Sequence, residues 1–250
     1  MQSRAVKGHV PVARITALSA GVVLALIAFL VPMEAFGMYH MFAVHMAQHL
    51  LLSLAAPPLI LLSIVPESLF RFLARHRTLA RCLQYLTMPV VAAIIFNGNI
   101  WLWHAPPLMA AMMGSAVLHV ITNLLYLVTG LLFWWPLLDL YPEEARRLVI
   151  GKKLAYLFFS DMPMMLIGAG MTFARPLYSF MMSNPTMYMV VTADDQQLAG
   201  LLMWVVGGVF LLVVVSSILF LRWMLAQEKG QQEREQEFSD EMFDETPLTR

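Results

Sequence analysis

Six apolar runs, at residues 15–31, 41–64, 86–103, 116–138, 154–173 and 198–221, dominate the chain and decide its solvent. Each is roughly 17–25 residues long, what a helix needs to cross a hydrocarbon core about 30 Å thick. Lipid offers no partner to a bare backbone amide or carbonyl, so runs of this length must be helices packed as a bundle. Composition agrees, with 60% of the 250 residues apolar and 13% charged, too few polar groups to clothe a soluble core of this size. The expected fold is an all-α polytopic membrane bundle spanning 15–221, flanked by segments 1–14 and 222–250. Arg4, Lys7 and Arg14 precede the first run as they would a secretory signal. That run outlasts a typical signal core of about 7–15 apolar residues, so it reads as an uncleaved span.

Basic residues orient the bundle. With both termini cytoplasmic, all 16 Lys and Arg except Arg175 fall on the inner side, as the excess of positive charge in cytoplasmic loops requires. The connector after span two sets Leu69, Phe72, Leu73, His76 and Leu83 against Arg71, Arg75 and Arg81. That pattern predicts a helix capped at Ser68, running to about Tyr85 and lying in the inner interface. Beyond Gln227 acids outnumber bases, and the segment reads as an acidic cytoplasmic tail, disordered past the helix end. The partner implied is the lipid bilayer, not nucleic acid. Cys82 is the single cysteine, which excludes an internal disulfide framework, a CxxC redox pair and cysteine-based zinc sites.

Any chemistry therefore falls to His, Met, carboxylates and amides. On this topology His9 and His76 are cytoplasmic, whereas His40, His45, His49, His104 and His119 gather at or just below the outer surface. His45 and His49 lie four apart on one helical face, with Met41 one turn above and Leu52 below. Such intramembrane polar residues face a bundle interior or cavity. Here they either hydrogen-bond neighbouring helices or hold a metal. Twelve of the 20 methionines (Met33, Met38, Met41, Met46, Met109, Met112, Met113, Met171, Met181, Met182, Met187 and Met189) sit in outer loops or outer span ends. Imidazole suits zinc, copper and iron, while soft thioethers select copper(I). The candidate ligands are His45, His49, His119, His104 and Met41, with the Met-rich 178–189 loop capturing or shielding the ion.

Enzymatic readings fit less well. His45-Met46-Ala47-Gln48-His49 has the HxxxH spacing of a zinc protease, but Met46 occupies the place of the general-base Glu. No further histidine box supports a di-iron site, and neither GxSxG nor a P-loop occurs. A b-type haem bundle is the alternative, with His49 and His119 as axial ligands from spans two and four.

The same residues carry a resemblance. His45-Met46-Ala47-Gln48-His49-Leu50-Leu51-Leu52, followed by Ala56-Pro57-Pro58-Leu59, resembles the HMxQHLLL…PPLL signature of the CtaG family of multi-span assembly factors for caa-type cytochrome c oxidases. Trp103-His104-Ala105-Pro106 is similar to that family's WHxP, and Gly130-Leu131-Leu132-Phe133-Trp134-Trp135-Pro136 to its GLLFWWP. The run from Asp195-Gln196-Gln197-Leu198 to Met203-Trp204 is similar to its DQQLxGxxMW. The resemblance implies an integral protein of a bacterial inner membrane, needed to mature the oxidase and delivering copper(I) to its subunits from an extracytoplasmic donor. Two positions depart from the pattern: Asn123 stands where many members carry a second histidine after His119, and Val206 where a proline is common. A metal-free scaffold for an oxidase helix is the third reading, and in neither assembly role is the protein an enzyme.

The remaining motifs carry structural expectations. Pro57-Pro58 removes two backbone donors and frees carbonyls near Ser53 and Leu54, so span two should kink there. Trp134-Trp135-Pro136 reads as an aromatic anchor at the inner interface. Asp161 lies inside span five as a structural carboxyl, a partner of Asn97 or Asn99, or part of an ion path. Asp194 and Asp195 either admit cations or cap the last span, and Gly207-Gly208 is the nearest approach to a close-packing motif.

Overall fold

The computed structural model describes residues 12–30, 41–63, 66–141, 147–178 and 191–244. Among them every regular element is helical, and five helices are long and apolar enough to cross a membrane, with a bent pair supplying a sixth crossing. The chain is an all-α polytopic membrane bundle.

Span one is α1 (Val12–Phe29). Span two is α2 (Phe42–Leu50), a π-helical turn (Leu51–Ala55) and α3 (Ala56–Ser63). Two amphipathic helices follow, α4 (Pro66–Arg75) and α5 (Arg77–Leu86). The latter meets α6 (Pro89–His104), the third crossing, at 72°. A short α7 (Pro106–Met113) plugs the histidine end of the bundle with buried Met109, Met112 and Met113. Spans four and five are α8 (Ala116–Trp134) and α9 (Ile150–Phe173). The last runs from α10 (Ala193–Leu201) through a π-helical stretch (Leu202–Phe210) into α11 (Leu211–Asp244).

Ahead of the proline pair the helical ladder is relieved by the π turn. Pro57 has no amide hydrogen to return to the Ser53 carbonyl. That oxygen instead accepts the Trp134 indole N–H at 3.3 Å, while the Ser53 hydroxyl donates to the His49 carbonyl at 2.6 Å. Trp134 and Trp135 are buried and not interface anchors, and the carbonyl freed by Pro57 supplies the acceptor that the buried Trp134 indole N–H requires. Gly130 brings α8 against this segment. A Cβ there would lie 2.6 Å from the Ser53 carbonyl oxygen and 2.8 Å from Pro57 Cγ.

Small residues set other close approaches. Gly168 of α9 and Gly200 of α10 let two spans touch backbone to backbone, since a Cβ on Gly200 would meet the Gly168 carbonyl oxygen at 2.6 Å. Span one buries only Gly21, Ala25 and Ala28, packs on α3, and is stapled where Gln48 Nε2 donates to the Ala28 carbonyl at 2.6 Å. At the opposite end Lys153 pairs with Asp139, and the Tyr141 hydroxyl donates to the Thr87 carbonyl.

Two expectations are corrected. The interfacial helix begins at Pro66 rather than with a cap at Ser68, and it is two helices broken at His76, whose backbone leaves helical geometry at φ −121, ψ 72. The last helix ends later than expected, since α11 runs past Gln227 to Asp244, and the rest of the tail lies outside the described residues. The Glu, Gln, Lys and Arg of this helical extension are good helix formers, and the span has already met the cost of nucleation.

Overpacking a tight core contact costs about 1–3 kcal/mol. Gly130→Ala is therefore expected to lower the thermal midpoint of the purified protein, whereas Gly98→Ala, with nothing within 4 Å of the added methyl, leaves it unchanged or slightly raised. Equal midpoints for the two variants would contradict the packing described here.

Candidate metal centre

The helical repeat of α2 sends His45 and His49 from one face, and their rings meet edge to face with centroids 4.1 Å apart. α8 supplies His119 across the bundle, its ring 5.1 Å from that of His45. All three are sealed from solvent, at 0%, 4% and 0% exposed. Phe42 stacks beside His45 at 6.1 Å and Tyr126 on His49 at 4.0 Å. One ring nitrogen from each histidine lies within 4.8 Å of the other two.

Hydrogen bonding leaves this cluster incomplete. Asn123 Nδ2, one turn along α8, stands 3.5 Å from His119 Nδ1, and His119 Nε2 stands 3.2 Å from His45 Nδ1. An amide nitrogen only donates, so the chain runs one way. Asn123 donates to His119, whose Nε2–H donates to His45. There it stops: His45 Nε2 and both nitrogens of His49 are buried with no hydrogen-bond partner. Each unsatisfied buried group costs about 1–3 kcal/mol, and a half-satisfied polar network is worse than an apolar core. The residues present thus fit a cation bound by nitrogen lone pairs better than they fit a structural hydrogen-bond network.

His104 ends α6 just below. Its Nδ1 donates to the Ile100 carbonyl at 2.7 Å, which fixes the tautomer and leaves the Nε2 lone pair 3.4 Å from Met46 Sδ. Its ring is 6.3 Å from that of His49, outside the three-histidine set. The cavity beside these rings holds about 10 Å³, the scale of a single water. Among the described residues that cavity is far smaller than a porphyrin, so the packing offers no preformed haem slot beside His49.

A family model described as cytochrome c oxidase caa3 assembly factor (Caa3_CtaG) matches residues 1–226. The chain belongs to that family. No curated protein and no solved structure matches it.

In this caa3 assembly factor Met41 is not a member of the cluster. It is the N-cap of α2, with extended backbone (φ −142, ψ 115) and 42% exposed, so the helical projection that set it above His45 does not apply. Met46, one residue past His45, takes the thioether position and faces His104. Asp161 is buried with both oxygens unpartnered. It pairs with neither Asn97, which donates to the Ala93 carbonyl, nor Asn99, which binds Trp103 and Thr129. Met33, Met38, His40 and the loop beyond Tyr178 through Met189 lie outside the described residues.

The acids at the mouth divide. Asp194 is exposed, while Asp195 accepts from the amides of Phe42 and Ala43 at 2.6 and 3.0 Å. It caps α2, the helix that carries the histidines, whereas its own helix is capped by Thr192. Gln196, which the sequence did not single out, is buried and closes the same corner. Its Oε1 accepts from Leu177 N at 2.6 Å, and its Nε2 donates to the Met171 carbonyl at 3.0 Å. Tyr178 then reaches over the site, its hydroxyl donating to the His104 carbonyl at 2.7 Å. Burial pushes that phenol's pKa up to about 12, so it remains a donor throughout the physiological range.

Removing a helix cap costs about 0.5–2 kcal/mol. Asp195→Ala is expected to lower the thermal midpoint and loosen the α2 entry, detected as faster amide exchange at Phe42 and Ala43, while Asp194→Ala changes neither. Equal exchange in the two variants would contradict the cross-helix cap.

Proposed function

We propose that this protein holds copper(I) at the His45, His49 and His119 centre on the outer face of a bacterial cell membrane. From there it passes the ion to a nascent subunit of a caa3-type oxidase, without covalent turnover. The observation that carries the reading is the set of three buried imidazoles with three ring nitrogens unpartnered and one ligand atom from each within 4.8 Å.

The absence of any charged donor favours a monovalent ion. The three donors are imidazoles, with no thiolate or carboxylate among them, and a doubly charged ion carries a larger desolvation penalty into such a site than a singly charged one. Catalytic zinc needs an open position for water, whereas Phe42, Tyr126 and Tyr178 crowd this centre. Asn123 suits the role of a supporting group. It orients His119 through Nδ1, as second-shell partners orient metal-bound imidazoles, and His119 would then present Nε2 to the ion. For this the His119 proton would sit on Nδ1 and donate to the Asn123 amide oxygen once that amide is turned, which leaves lone pairs on His119 Nε2 and His45 Nδ1 and requires no proton to be released. The oxidase is the recipient, and a donor outside the membrane supplies the ion to the end that α7 and Tyr178 cover.

In cells whose only copy carries His45→Ala and His49→Ala, the oxidase purified from the membrane is expected to hold less copper per haem than wild type, with the variant factor present at normal abundance. Full copper content in the oxidase from those cells would instead support a metal-free scaffold.

A further inference from the structure

Below the three histidines, three methionines are among the residues that line the small cavity of about 10 Å³. Met46 of α2, Met164 of α9 and Met203 of the last span line it from three different helices, together with His49 and His104. All three methionines are buried, at 0%, 2% and 3% exposed. Methionine fills gaps in any core, so their convergence alone says little. The decisive contact is between His104 and Met46.

His104 spends its ring hydrogen on the Ile100 carbonyl, so the Nε2 that faces Met46 Sδ at 3.4 Å carries a lone pair. A thioether sulfur also carries only lone pairs. Two acceptors thus point at one another inside the bundle with no protein hydrogen between them. Their separation is what two ligands of one ion require: metal–nitrogen and metal–sulfur bonds of about 2.0 and 2.3 Å at a near-tetrahedral angle put the donors about 3.5 Å apart. The Ile100 carbonyl fixes the ring as backbone acceptors fix metal-bound histidines elsewhere. Mixed imidazole and thioether donors select copper(I).

We propose that this cavity is a second copper(I) site, formed by His104 Nε2 with the thioethers of Met46, Met164 and Met203, and that His49 connects it to the three-histidine centre. The inference rests on the copper reading of that centre and deepens it. His49 lines the cavity and belongs to the histidine cluster, and because no hydrogen bond fixes its tautomer its one lone pair can be presented to either side. Movement between the sites is ligand exchange: one metal–nitrogen bond breaks as a metal–sulfur bond forms, and copper stays in the +1 state. An ion held by thioethers in the bundle interior is shielded from water and from oxidation while the upper centre is refilled.

The test is anaerobic titration of the purified full-length protein with copper(I), read by bound metal and by X-ray absorption at the copper edge. Wild type is expected to bind two ions per chain with a sulfur shell in the spectrum. The near-isosteric variant Met46→Leu, Met164→Leu, Met203→Leu should bind one ion with nitrogen neighbours only, and Met46→Leu alone should weaken the sulfur signal. His45→Ala, His119→Ala should keep one ion with sulfur neighbours. One ion in wild type, nitrogen-only and lost in the histidine variant, would overturn the second site and leave the first standing. One ion with sulfur neighbours, indifferent to the histidine variant, would support the cavity site and remove the three-histidine centre. No bound copper would overturn both.

Discussion

An imidazole sealed inside an apolar bundle has two nitrogens and needs a partner for each. Around His45 and His49 the protein supplies too few. The single donor chain from Asn123 through His119 reaches His45 and ends, and His49 receives nothing from the side chains around it. Lipid cannot make up the deficit, because it has neither donors nor acceptors. The cluster therefore carries stored desolvation cost that an ion bound by lone pairs would relieve. The other devices in the fold hold these rings together in spite of that cost.

Three of those devices act on one helix. Asp195 caps the start of α2 from the last span, Gln48 ties its middle to span one, and the π turn before Pro57-Pro58 fixes its lower end. Trp134 and Gly130 lock that turn from α8, the helix that also carries His119. The two ligand-bearing helices are thus joined below the site by a hydrogen bond and a backbone contact, so the approach of His119 to His45 is built into the packing. π segments recur at functional sites, and this bundle has one on each of two spans that contribute methionines to the small cavity.

The helical bundle was legible in sequence because hydropathy and length alone force it, and the His45/His49 pair because the helical repeat does. Other features depend on neighbours that no local pattern reports. Met41 looked like a ligand because four residues separate it from His45, but α2 starts one residue later and the projection fails at the cap. Met46 was read as a missing glutamate and as one of twelve outer methionines but not as a ligand, although its position one residue past His45 turns it towards α6 and His104. The indole of Trp134 suggested an interface until the carbonyl freed by Pro57 gave it a buried acceptor. The glycine crossing escaped motif search because Gly168 and Gly200 sit on different helices. His119 and Asp195 could be placed near the outer mouth from topology, yet their contacts with α2 span 74 and 153 positions of sequence and follow only from tertiary packing.

The central claim is that these histidines are kept for a ligand at the expense of the apo fold. It is tested most directly by thermal unfolding of the purified wild type and His49→Leu, each with and without copper(I). The account predicts that the metal-free variant unfolds at or above the wild-type temperature, because two unsatisfied nitrogens have been replaced by an apolar side chain. Copper(I) should raise the wild-type midpoint, since it binds the folded state, and should raise that of the variant less. A metal-free variant that unfolds several degrees below wild type, with copper(I) leaving the wild type unmoved, would show that His49 serves the fold and contradict the account.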